Sequence, residues 1–111
     1  MGLSQLLASL LGTDRVDELA RRIAERSQGA VWQRVAHRID ALAGSEARGY
    51  ARARAGAIVL RETNLIVAEE SIRTESLPMK IYQAALDRVI ELVVEQSRQR
   101  RLEAQPARKV A

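Results

Sequence analysis

The chain has 111 residues, 47% hydrophobic and 29% charged, a composition that is globular rather than that of a disordered chain and suits a single core. It has no cysteine, which excludes disulfides, thiolate metal sites and thiol catalysis and leads us to expect a cytoplasmic protein. The net charge of +4 belongs to the C-terminus: residues 98–111 hold five basic side chains against one acidic, and residues 1–97 hold thirteen of each.

In chain order, Leu3, Leu6, Leu7, Leu10 and Leu11 recur at the spacing of a short amphipathic helix, which Gly12 is expected to end. The N-terminal residues lack a basic region and a cleavage pattern, so no secretory leader is expected. Thr13 or Asp14 offers the N-cap of a second helix, with Asp17 and Glu18 near its positive end. Its apolar positions are Val16, Leu19, Ala20, Ile23, Val31, Val35, Ile39 and Leu42, and Gly29 interrupts it, so a break at Gln28-Gly29 is expected over one long helix across 14–43. Gly44 suits a left-handed helix end and Ser45 a new N-cap, opening a helix over residues 46–73.

That helix holds the most apolar stretch of the chain. Ala57-Ile58-Val59-Leu60 and Leu65-Ile66-Val67-Ala68 enclose the polar quartet Arg61, Glu62, Thr63 and Asn64. At 100° per residue Ile58, Leu65 and Ile72 fall along one line and Leu60 and Val67 lie nearly opposite, so the helix is apolar almost all round and is expected at the centre of the fold or of an oligomer. A β-hairpin is the competing reading for 58–68, but no Gly or Pro marks its turn, and helix is preferred. The pattern Gly49-x-x-x-Ala53-x-x-Gly56-Ala57 thins the first half of the helix and permits close crossing. Arg48, Arg52 and Arg54 interrupt it, and the longest apolar run, Ala55 to Leu60, is far short of the ~20 residues of a membrane span. No membrane role is expected.

Ser76-Leu77-Pro78 opens the last helix, with Met79, Tyr82, Leu86, Val89, Val93 and Gln96 forming a regular seam. Past Leu102 the periodicity is lost, so residues 1–102 are expected to form one helical domain and 103–111 a flexible basic tail.

Few residues invite chemistry. Di-metal bundles need Glu-x-x-His pairs, and the only histidine, His37, follows Arg34 at that spacing, so neither a metal nor another cofactor is expected. No motif sets a nucleophile beside His37, and no catalytic residue is assigned. Glu62 and Asn64 read as register-setting polar groups, Glu62 through an ion pair with Arg61, Arg54 or an arginine of a neighbouring subunit.

The expected fold is therefore all-α, a small bundle of four to five helices around a central apolar helix, oligomeric. The expected function is a non-enzymatic assembly module that binds its own copies or another helical protein, using Ile58, Arg61, Glu62, Asn64, Leu65, Ile72, Leu86 and Val93 as interface or buried polar positions. The alternative is a nucleic-acid-binding protein with contacts at Arg48, Arg52, Arg98, Arg100 and Arg101.

Overall fold

The computed structural model describes residues 2–104, with side chains from Asp14 onward. They form three helices and no strand: α1 (Gly2–Ile39), α2 (Gly44–Glu69) and α3 (Leu77–Glu103). The all-α class holds, and residues 58–68 are helical rather than a hairpin.

The count of four to five helices does not hold, because neither expected break in the first forty residues occurs. Helix α1 runs through Gly12 and through Gln28-Gly29. Leu19, Ile23, Ser27, Val31, Val35 and Ile39 stay buried along one continuous stripe, and around Gly29 that packing outweighs the ~1 kcal/mol that a helical glycine costs.

The turn into α2 also differs from expectation. Gly44 is the first residue of α2, Ala43 before it is extended (φ −76, ψ 164), and no side chain caps that end. The left-handed residue closes α2 at its far end instead, where Ser71 has φ 51. Its amide donates to the Ala68 carbonyl (3.2 Å) and that of Ile72 to the Val67 carbonyl (3.0 Å), the two bonds of a Schellman motif. Ser71 thus makes α2 stop at Glu69 instead of running to 73. Pro78, with no N–H to lose, sits in the first turn of α3.

Side-chain pairs set the topology. His37 meets Tyr50 (3.4 Å) and Arg22 meets Glu70 (3.3 Å), so α1 and α2 are antiparallel. Arg48 meets Glu91 (2.8 Å) and Arg52 meets Asp87 (2.7 Å), so α2 and α3 are antiparallel. The result is an up-down-up bundle in which α1 and α3 point the same way.

The core contains no aromatic ring among its fully buried side chains; it is built from Leu19, Ile23, Val31, Val35 and Ile39 of α1, Val59 and Ile66 of α2, and Ile81, Val89 and Val93 of α3. Ala47, Ala51 and Ala55 supply the first half of the α2 core face, and side chains this small let all three backbones approach closely. Buried polarity is confined to small hydroxyls: Thr63 donates to the Val59 carbonyl (2.7 Å), Ser97 to Asp40, and Ser27 has no partner among the described residues.

Candidate interaction surface

The core face of α2 follows Ala47, Ala51, Ala55, Val59, Thr63 and Ile66. Because the helix is apolar almost all round, anchoring it on that line turns other apolar residues outward. Gly49, Ala53, Ala57, Leu60, Asn64 and Ala68 recur at helical spacing on its exposed side, with Leu65 beside them. Leu60 is 47% exposed, Leu65 49% and Met79, in the first turn of α3, 57%.

Two adjoining grooves mark this region. One of about 380 Å³ is lined by Ala57, Leu60, Arg61, Asn64 and Leu65. The other, about 340 Å³, lies between α2 and the start of α3 and is lined by Leu60, Thr63, Asn64, Pro78, Met79 and Tyr82. Leu60 and Asn64 belong to both. Three large half-exposed apolar side chains on one stretch of surface exceed the isolated exposed leucine that most folded proteins carry.

The expected interface residues divide accordingly. Arg61, Asn64 and Leu65 come together on this surface. Ile58 and Ile72 are half-buried and pack against the core, Ile72 beyond the end of α2. Leu86 and Val93 are buried in α3, on the core side. Glu62 is half-buried on α2, and among the described residues no ion pair or hydrogen bond joins it to Arg61 or Arg54. Arg54 instead stacks on the Tyr50 ring at 3.9 Å.

Leu60 and Met79 were not legible as surface residues. Met79 and Tyr82 open the expected inward seam, yet the fully buried seam runs Ile81, Ala85, Leu86, Val89, Ile90, Val93 and Ser97, so Met79 faces out while Tyr82 is half-buried at the edge of the core. The available signal was Ile81, which extends the buried line one turn before Ala85 and displaces Met79 from it.

The arginines of the alternative reading are held by acids. Arg48 donates through Nε (2.8 Å) and Nη2 (3.2 Å) to the two carboxylate oxygens of Glu91, which raises the pKa of Arg48 and lowers that of Glu91. Arg52 pairs with Asp87 (2.7 Å). Arg98 grips Glu95 one turn earlier on α3, and its hydrogen bonds, with one from Gln99, lower that carboxyl to about 2.

Arg100 bonds Asp40 and lies 5.1 Å over the Trp32 ring. Burial works to raise the Asp40 carboxyl; hydrogen bonds from Ser97 and Arg100, with the charges of Arg100 and Arg101, outweigh it and hold the group below its ordinary value. Arg101 is exposed. These pairs are mostly solvated and add little stability each, but they match positive charge locally with negative.

No group of three His, Asp or Glu side chains that would hold a metal ion occurs among the described residues. Among the described residues no helix is long and apolar enough to cross a membrane. Residues 105–111, most of the expected basic tail, lie outside the described residues. Comparisons with protein-family models, with curated proteins and with solved structures found no match.

Proposed function

We propose that this chain is a non-enzymatic assembly module that associates with its own copies through the outward face of α2 and the first turn of α3. One observation carries the reading: Leu60, Leu65 and Met79 stand about half exposed and together border two adjoining grooves, while the core is complete without them. Covering these side chains removes apolar area from water, at ~25 cal/mol per Å². Gly49, Ala53 and Ala57 prolong the face with side chains small enough for another helix to approach closely. Arg61 and Asn64 then border the contact and favour one register over its neighbours.

The nucleic-acid alternative has less support. Arg48, Arg52, Arg98 and Arg100 each have a carboxylate partner, so phosphates would have to displace existing pairs.

The test is the solution mass by light scattering, across concentration and from low to high salt. The expected result is a dimer or larger species that persists in high salt, reduced to a monomer by Leu60→Asp with Leu65→Asp while helical circular dichroism is retained. A wild-type chain that stays monomeric at all concentrations refutes the reading.

A further inference from the structure

Two features at one end of the molecule fit each other. Glu70, just past α2, approaches Arg15 (3.7 Å) and Arg22 (3.3 Å) of α1, so α2 stops level with that part of α1. Helix α1 begins at Gly2, about 20 Å earlier at 1.5 Å per residue. The longest dimension of the molecule is 66 Å, against about 40 Å for helices of the length of α2 and α3. The first dozen residues of α1 therefore extend beyond the end of α2.

In sequence this stretch has no charged residue from Gly2 to Thr13 and carries leucine at positions 3, 6, 7, 10 and 11, the spacing of an amphipathic stripe. The outward face of α2 matches it: among the described residues Arg61 is the only charged side chain lining either groove. The segment from Ala57 to Leu65 spans about 12 Å and the leucine stripe from 3 to 11 the same. Helix α1 is continuous, so its first turns cannot fold back onto the α2 face of their own chain.

We infer that this face receives the Gly2–Thr13 stretch of α1 from a second copy, and that the exchange is reciprocal about a two-fold axis. The inference rests on the self-association proposed above and names what occupies its surface. A two-fold exchange makes the same stripe–face contact twice.

The experiment uses two full-length variants, Leu6→Asp with Leu10→Asp and Leu60→Asp with Leu65→Asp, each checked for helical circular dichroism and weighed by light scattering alone and after mixing. Each alone should be monomeric, with a dimer Kd raised roughly 100-fold or more. Their equimolar mixture should regain dimer mass, because one intact stripe then meets one intact face. If the Leu6/Leu10 variant keeps the wild-type mass while the Leu60/Leu65 variant dissociates, this inference is overturned and self-association stands. A mixture that stays monomeric overturns it as well. A wild-type monomer overturns both. Should the aspartates unfold α1, Leu6→Gln with Leu10→Gln replaces them, with the same outcomes.

Discussion

Arg100 and Asp40, sixty residues apart in sequence, are joined by two hydrogen bonds from the guanidinium, one from Nε at 3.0 Å, to a single oxygen, Oδ2. Ser97 donates to the other oxygen, and the same Arg100 Nη2 that donates to Asp40 also reaches the Ala36 carbonyl at 2.9 Å. This clasp ties the end of α1, beside the α1–α2 turn, to the last turns of α3.

The clasp makes stability depend on pH. The folded-state pKa of Asp40 is below its ordinary value of 3.8, so the unfolded chain takes up the proton first as pH falls. Its contribution is present above about pH 4 and is lost as pH drops through the folded value. Asp40→Asn should cost about 1 kcal/mol at pH 7, a low figure because Arg100 is half exposed and screened. Urea unfolding at pH 7 and pH 3 should show the difference between wild type and variant shrinking in acid.

Gly29 lies in the middle of α1, exposed, and a Cβ there meets nothing within 4 Å. Gly29→Ala should therefore stabilise by about 1 kcal/mol, read as a rise in Tm of about 4–8 °C. A lower Tm would mean that α1 is bent or broken at that point.

Ser71 holds a left-handed conformation without being glycine. Ser71→Gly should stabilise by up to about 1 kcal/mol in denaturant titration, and Ser71→Val should destabilise by more than that, since a branched side chain clashes there.

Ser27 buries a hydroxyl with no partner among the described residues. Ser27→Ala should be neutral or stabilising by about 1 kcal/mol, because it removes a desolvated polar group at little change of volume. A clear loss of stability in the same titration would reveal a bound water that the hydroxyl anchors.

The two faces of α2 should respond differently to charge. Leu65→Asp, half exposed, should cost no more than about 1 kcal/mol of fold stability while weakening self-association. Ile66→Asp, fully buried, should abolish cooperative unfolding at 25 °C, since an unpaired carboxylate in the core costs several kcal/mol. Thermal melts of the two, compared with their masses, separate core from surface.

What local sequence alone determined was helix and most of its phase. The absence of a Gly or Pro turn between Leu60 and Leu65 made 58–68 helical, and the spacing Leu86, Val89, Val93 identified three buried positions of α3. Helix ends were less legible. Gly12, Gly29 and Gly44 all look like punctuation, yet only Gly44 stands at a helix boundary: a helical glycine costs only ~1 kcal/mol, and at Gly29 the long buried stripe of α1 exceeds it.

The candidate surface was half legible for a different reason. An all-round apolar α2 implies that some apolar face is left over, but periodicity cannot say which one. Tertiary packing chose the Ala47-Ala51-Ala55 line for the core side, where small side chains permit α1 and α3 to pack close against α2. Val59 and Ile66 follow that line inward, and Leu60 and Leu65, one residue along from Val59 and one before Ile66, are carried to the surface by the 100° step of the helix.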